Sequence, residues 1–233
     1  MTNAHVSQPA EAGAVDLGLR RYLLNVYNYM AGALVLSGAV GYAAVATGFY
    51  RTIFGTPLYW VVLIAPLVLV MLLSFRINKM SLGAAQLTFW AYAGLVGLSL
   101  SAIFLVYTGA SIVQVFLITA ATFGAMSLFG YTTRVDLTRF GSFLIMGLVG
   151  VLIASLVNMF LRSPAFQFAI SIIGVLVFVG LTAWDTQRVK NLYLESDDAS
   201  TAGKKAVMGA LALYLDFLNI FLLLLQLFGD RRR

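Results

Sequence analysis

Of the nine acidic residues in the chain, two stand inside long apolar stretches, Asp185 and Asp216. Glu11 and Asp16 fall in the amino-terminal stretch, Asp136 in a short loop, Glu195, Asp197 and Asp198 in a longer one, and Asp230 at the carboxyl end. An aspartate at the centre of a membrane helix costs roughly 3 kcal/mol to insert, so it has to face a packed interior or water. Two carboxylates brought within hydrogen-bond reach in such a place cannot both ionise cheaply; they share a proton and titrate as a unit. A pair of that kind senses pH, or binds a hard cation such as Ca²⁺ through oxygen once the proton leaves. Protons and Ca²⁺ then compete.

The elements that must position these two residues are the last two apolar segments. Asp216 lies in Gly209 to Gly229, GALALYLDFLNIFLLLLQLFG, where Gly209, Ala212, Asp216, Asn219 and Gln226 share one helical face. Asn219 is placed there to support Asp216. Asp185 lies in LTAWDTQRVK, on a face shared with Ser171, Gly174, Phe178, Thr182 and Arg188. The two helices are consecutive and therefore antiparallel, which makes them natural neighbours. The competing reading is structural, with Asp216 and Asn219 serving only as hydrogen-bonding glue between helices.

Depth presents a conflict. If the last helix begins near Ala206, Asp216 lies ten residues in, about 15 Å at 1.5 Å per residue, while Asp185 sits one turn from the end of its own helix. Direct pairing requires the sixth helix to run deeper or the seventh to start further out.

Composition sets the setting. The 233 residues are 61% hydrophobic and 10% charged, with a mean hydropathy of +0.93, too apolar for a soluble domain. The absence of cysteine rules out disulfides, thiolate metal sites and a thiol nucleophile. The single histidine, His5, lies in the polar tail, so no imidazole is available as a proton switch within the membrane. The net charge of +6 reads as loop charge and not as a nucleic-acid footprint.

Residues 1–19 read as a disordered polar tail with no signal-peptide pattern, and residues 20–233 as a single transmembrane domain. Seven apolar segments follow in order: Leu23 to Gly48, Leu58 to Phe75, Leu82 to Tyr107, Ser111 to Tyr131, Phe140 to Phe160, Phe166 to Thr186 and Ala206 to Phe228. Each is long enough to cross a hydrocarbon core of about 30 Å. The expected fold is all-α and polytopic. With the amino terminus cytoplasmic, ten lysines and arginines fall inside: Arg20, Arg21, Arg76, Lys79, Arg134, Arg139, Arg188, Lys190, Lys204 and Lys205. Five fall outside, Arg51, Arg162 and the terminal Arg231, Arg232 and Arg233, so the charge rule favours this orientation. The terminal triplet runs against the rule; a cytoplasmic triplet would need a re-entrant last segment or one span fewer. The stretch from Gln187 to Lys205 reads as a solvated charged loop.

These residues together resemble the Bax inhibitor-1 family of transmembrane Bax inhibitor motif proteins, its bacterial branch in particular. The resemblance covers nearly the whole chain after the tail. It is most specific at Leu211-Ala212-Leu213-Tyr214-Leu215-Asp216-Phe217-Leu218-Asn219-Ile220-Phe221, with further matches at Trp184-Asp185-Thr186-Gln187 and Leu73-Ser74-Phe75-Arg76. It implies a seven-helix protein with the last helix central and surrounded by the other six, and a pH-sensitive Ca²⁺ leak. It also implies that Asp185 and Asp216 form the sensor and transiently ligate Ca²⁺, that Arg76 latches Asp185 when the path is closed, and that the protein resides in a bacterial inner membrane. The sequence departs at Gln226, where many members carry arginine, so an outward-side ion pair at that position lacks its cation.

Other functions fit less well. Intramembrane aspartyl proteases resemble a Tyr-Asp and Gly-x-Gly-Asp pairing, and neither Trp184-Asp185 nor Leu215-Asp216 has that context. A retinal protein needs a lysine inside a helix, and Lys79, Lys190, Lys204 and Lys205 all lie outside. The expectation is therefore a non-enzymatic channel with no cofactor, with the bilayer, Ca²⁺ and protons as its partners. The alternative is a non-transporting protein that modulates a membrane protease or a stress pathway through contacts with a membrane protein partner, in which case Arg76 only snorkels to the interface.

Overall fold

The computed structural model describes residues 9–232. The described chain is helical, in the order α1 (Pro9–Ala46), α2 (Phe49–Phe54), α3 (Leu58–Arg76), α4 (Leu82–Ser99), α5 (Ser101–Val106), α6 (Gly109–Thr132), α7 (Thr138–Leu161), α8 (Pro164–Asn191) and α9 (Ala199–Phe228). Seven helical stretches are long and apolar enough to cross a membrane: Leu17–Ala46, Leu58–Lys79, Leu82–Val106, Gly109–Thr132, Thr138–Leu161, Pro164–Asn191 and Ala199–Phe228. They coincide with the seven expected segments. The third is completed by α5 after a break at Leu100.

The helices start where short polar side chains can accept orphan backbone N–H groups. Ser81 Oγ accepts from the Ala84 N–H at the head of α4, and Thr108 Oγ1 from the Ser111 N–H at α6. Ser163 Oγ accepts from the Phe166 N–H at α8, with Pro164 at the first helical position, and Asp198 Oδ1 from the Thr201 N–H at α9.

Two expectations are corrected. Helix α1 begins at Pro9, so residues 9–19 are helical and not disordered; the stretch PAEAGAVDLGL combines a proline start with strong helix formers. Residues 1–8, including His5, lie outside the described residues. The stretch 187–205 is mostly helix as well. Helix α8 continues to Asn191 and α9 starts at Ala199, leaving only residues 192–198 as the connection.

Helix α9 is the axis of the bundle. In it 67% of the membrane-spanning window is buried, against 33% or less in the other six. It packs chiefly against α1, α4, α6 and α8, with α3 lying outside on α4 and α7 outside on α8. The last helix is thus central, with four of the six other spans as its main neighbours. Around its middle, Tyr214 is fully buried, edge-on to Phe89 and Tyr92, and its hydroxyl lies 2.6 Å from Ser37 Oγ. The outer faces carry exposed apolar side chains such as Val35, Leu87, Phe143, Met146 and Phe160, as a lipid-facing surface requires.

Helices α6 and α8 approach at backbone distance. A Cβ on Gly130 would collide with the carbonyl of Ala183, so glycine is required there. The same seam is tied by Ser127 Oγ and Thr186 Oγ1 at 3.0 Å, and Ser127 is also bonded to the Tyr27 hydroxyl of α1.

Candidate functional site

Helices α8 and α9 bring Asp185 and Asp216 together. Their antiparallel register is set by Gly209 packing against Val189 and Gly174 against Leu223. In that register Asp185 is level with about Leu213, so Asp216 lies one turn deeper along α9. Every Cα–Cβ bond on a helix leans toward its own amino terminus, and in antiparallel helices those leans oppose. The carboxyl of Asp185 tips deeper, that of Asp216 tips back, and the two face one another within hydrogen-bond reach.

This geometry settles the conflict over depth. The seventh span does start further out, at Ala199, and α8 continues past Thr186 at its loop end, so Asp185 is more than one turn from the end of its helix. In that register the end of α8 at Asn191 is level with about Val207, so Asp185 lies six residues in from that end and Asp216 nine, a difference of one turn.

Both carboxyls are withdrawn from solvent, Asp185 at 8% and Asp216 at 4% exposure. Asp216 Oδ2 has no hydrogen-bond donor among the described residues. A buried carboxyl oxygen with no donor, facing a second carboxyl, suits a proton held between the two.

The cation beside Asp185 is Arg188, one turn further along α8, with Nη1 3.7 Å from Oδ1. Its guanidinium also lies over the Trp184 ring, 5.4 Å from the centroid. The Arg188 side chain remains 59% exposed, so the bond joins a buried acid to a cation at the water boundary. Arg76, at the end of α3, is exposed and makes no ion pair among the described residues. Asn219 does not reach the carboxyl pair; its Nδ2 donates back to the Leu215 carbonyl at 2.8 Å. Arg188 carried a signal in the sequence, since it shares the helical face of Asp185 at a spacing of three.

The connection between α8 and α9 lies at this end of the bundle and is tied to α9 and α1. Lys205 Nζ pairs with Asp197 Oδ2 at 2.6 Å, and the Tyr193 ring packs on Tyr22 of α1 at 5.6 Å. Asp198 lies here too, its carboxyl held below the usual carboxylate range chiefly by the Thr201 backbone N–H. Among the described residues no three acidic or histidine side chains cluster. The pair thus offers at most four carboxylate oxygens to a cation that takes six to eight.

A seven-helix bundle around an apolar axis with two facing carboxyls defines a polytopic membrane protein with an intramembrane ionisable site. The profile of the family described as "Inhibitor of apoptosis-promoting Bax1" matches residues 19–233, and the chain belongs to this Bax inhibitor-1 family. It is 48% identical over 219 residues to inner membrane protein YbhL of Escherichia coli K12, covering 92% of this chain and 94% of that one. It is also 48% identical over 218 residues to protein RP147 of Rickettsia prowazekii, covering 93% and 92% of the two chains. A membrane protein of Streptococcus pyogenes serotype M3 is 35% identical over 218 residues, covering 92% of this chain and 94% of its own.

Proposed function

We propose that this protein is a pH-sensitive Ca²⁺ leak of a bacterial inner membrane, with its amino terminus cytoplasmic and with Asp185 and Asp216 as both proton sensor and transient cation ligand. The observation that carries the reading is the buried face-to-face placement of the two carboxyls, with Asp216 Oδ2 lacking any donor. When the shared proton leaves, the pair becomes an anionic oxygen site that attracts a hard divalent cation. Few oxygens mean weak holding, which suits passage better than storage.

In the conformation described, Arg188 neutralises Asp185 from the water side. Arg76 is assigned the latch role in a different conformation, one in which the end of α3 closes toward α8. The residues perform no bond-breaking chemistry in this reading and need no cofactor. Ca²⁺ is the cargo.

The test is Ca²⁺ entry into dye-loaded liposomes containing the purified protein. Flux above that of empty liposomes supports the leak. No flux from protein shown to be folded and inserted leaves the non-transporting reading, in which the bundle modulates a membrane protease or stress pathway through helix contacts.

A further inference from the structure

The end of the bundle opposite the carboxyl pair holds a cavity of about 440 Å³ between α7, α8, α9 and the carboxyl-terminal residues. Its size is within the ordinary range of ligand sites. Asn158, Arg162, Gln167, Ser171, Gln226 and Arg231 line it, and no acidic residue does.

Accounting for its polar atoms shows what it lacks. Asn158 Nδ2 donates to Gln167 Oε1 at 2.9 Å, and Asn158 Oδ1 accepts from the Ser163 N–H at 3.1 Å. Gln167 Nε2 donates to Gln226 Oε1 at 2.7 Å and to Ser171 Oγ at 3.4 Å, and Ser171 Oγ donates to Gln226 Oε1 at 3.2 Å. All three amide oxygens are thereby engaged. Gln226 Nε2 and the two guanidiniums remain, and among the described residues none of these has a partner. The cavity presents donors and positive charge, and its side-chain amide oxygens are already used.

Both arginines sit on constrained backbone. Arg162 takes the left-handed conformation, φ 52°, where it caps α7, and its N–H bonds the Asn158 carbonyl at 2.7 Å. Arg231 forms an antiparallel bridge with Tyr107, flanked by Arg232 N–H to the Val106 carbonyl at 2.8 Å and Thr108 N–H to the Asp230 carbonyl at 3.0 Å. Gly229 allows that return, because a Cβ there would strike the Tyr107 ring. Cations placed at the membrane end where the charge rule disfavours them are here built into a pocket.

We propose that this cavity binds a phosphate group, carried by a phospholipid headgroup of the adjoining leaflet or free in solution, with Arg162 and Arg231 as the charged clamp and Gln226 Nε2 as a third donor. Guanidinium–phosphate pairs supply the strong, directional bonds that such a site needs. The proposal is independent of the Ca²⁺ leak.

The experiment is native mass spectrometry of the delipidated full chain titrated separately with phosphatidylglycerol, diacylglycerol and inorganic phosphate. Wild-type protein is expected to retain phosphatidylglycerol and release diacylglycerol. The double variant Arg162→Asn with Arg231→Gln should bind the phosphate-bearing probe at least about tenfold more weakly, whereas Arg51→Gln, a basic residue at the same end but outside the cavity, should bind it within twofold of wild type. Inorganic phosphate bound with the same arginine dependence identifies free phosphate as a source; phosphatidylglycerol alone identifies the lipid. Equal binding by the double variant and wild type, or an equal loss in Arg51→Gln, overturns the proposal. Gln226→Glu keeps the accepting oxygen and the side-chain shape while adding negative charge. If the double variant does not fold, a similar loss in Gln226→Glu supports the site, and wild-type binding refutes it.

Discussion

Asp185 and Asp216 meet because their helices run in opposite directions. They stand one turn apart in register, and the opposed lean of their side chains closes that gap. In parallel helices the two side chains would lean the same way and the offset would remain.

Replacing Asp216 with leucine removes a buried carboxyl whose Oδ2 has no donor. Asp216→Leu is expected to fold with stability unchanged or raised by about 1–3 kcal/mol and to lose pH-dependent flux. Thermal unfolding in detergent beside liposome flux checks both. Marked destabilisation would mean that the residue is structural glue.

The Gly130 seam is expected to tolerate no side chain. Gly130→Ala meets the Ala183 carbonyl, which is backbone and cannot rotate aside. It should destabilise the bundle by about 1–3 kcal/mol as overpacking, read as a lowered unfolding midpoint. Gly150, beside which a Cβ finds open space, should accept alanine with little change.

Arg188 and Arg76 make separable predictions. Arg188 contacts Asp185 in this conformation and Arg76 does not. Arg188→Gln should therefore move the pH midpoint of flux, because a cation beside Asp185 favours its charged form. Arg76→Gln should change how much protein is closed at a given pH, seen as a changed flux amplitude. An unmoved midpoint in Arg188→Gln would remove it from the sensor.

The first turn of α9 should loosen in acid. Asp198 accepts from the Thr201 N–H, which holds its carboxyl below the ordinary value. A lowered folded value gives a stabilising contribution that is complete above the unfolded value, near 3.9, and is lost as pH falls through the folded one. Hydrogen exchange of residues 199–203 should be faster in Asp198→Ala at neutral pH, and the difference from wild type should vanish in strong acid. A difference that persists there would contradict the capping role.

The seven spans were legible because hydropathy alone marks what lipid must cover. Asp185 and Asp216 were legible because a carboxylate among leucines and phenylalanines is conspicuous on cost alone. The depth relation was not. Hydropathy ends with the bilayer, whereas α8 and α9 continue as polar helix through Gln187–Asn191 and Ala199–Lys205. Asn219 looked like a partner for Asp216, but one helical turn also lets an amide fold back on its own backbone, as its bond to the Leu215 carbonyl shows. The arginines at the carboxyl end looked misplaced until the fold set Arg231 beside Arg162 and the amides of α8 and α9.

The most direct measurement is Ca²⁺ uptake by proteoliposomes stepped from about pH 5 to about pH 8, to look for the joint titration of a proton-sharing carboxyl pair. Wild-type protein would be compared with Asp185→Asn and Asp216→Asn. The expected result is a flux that varies with pH in the wild type and loses that dependence in both variants. A flux whose pH profile is identical in all three, or no flux from folded and inserted protein, would contradict it.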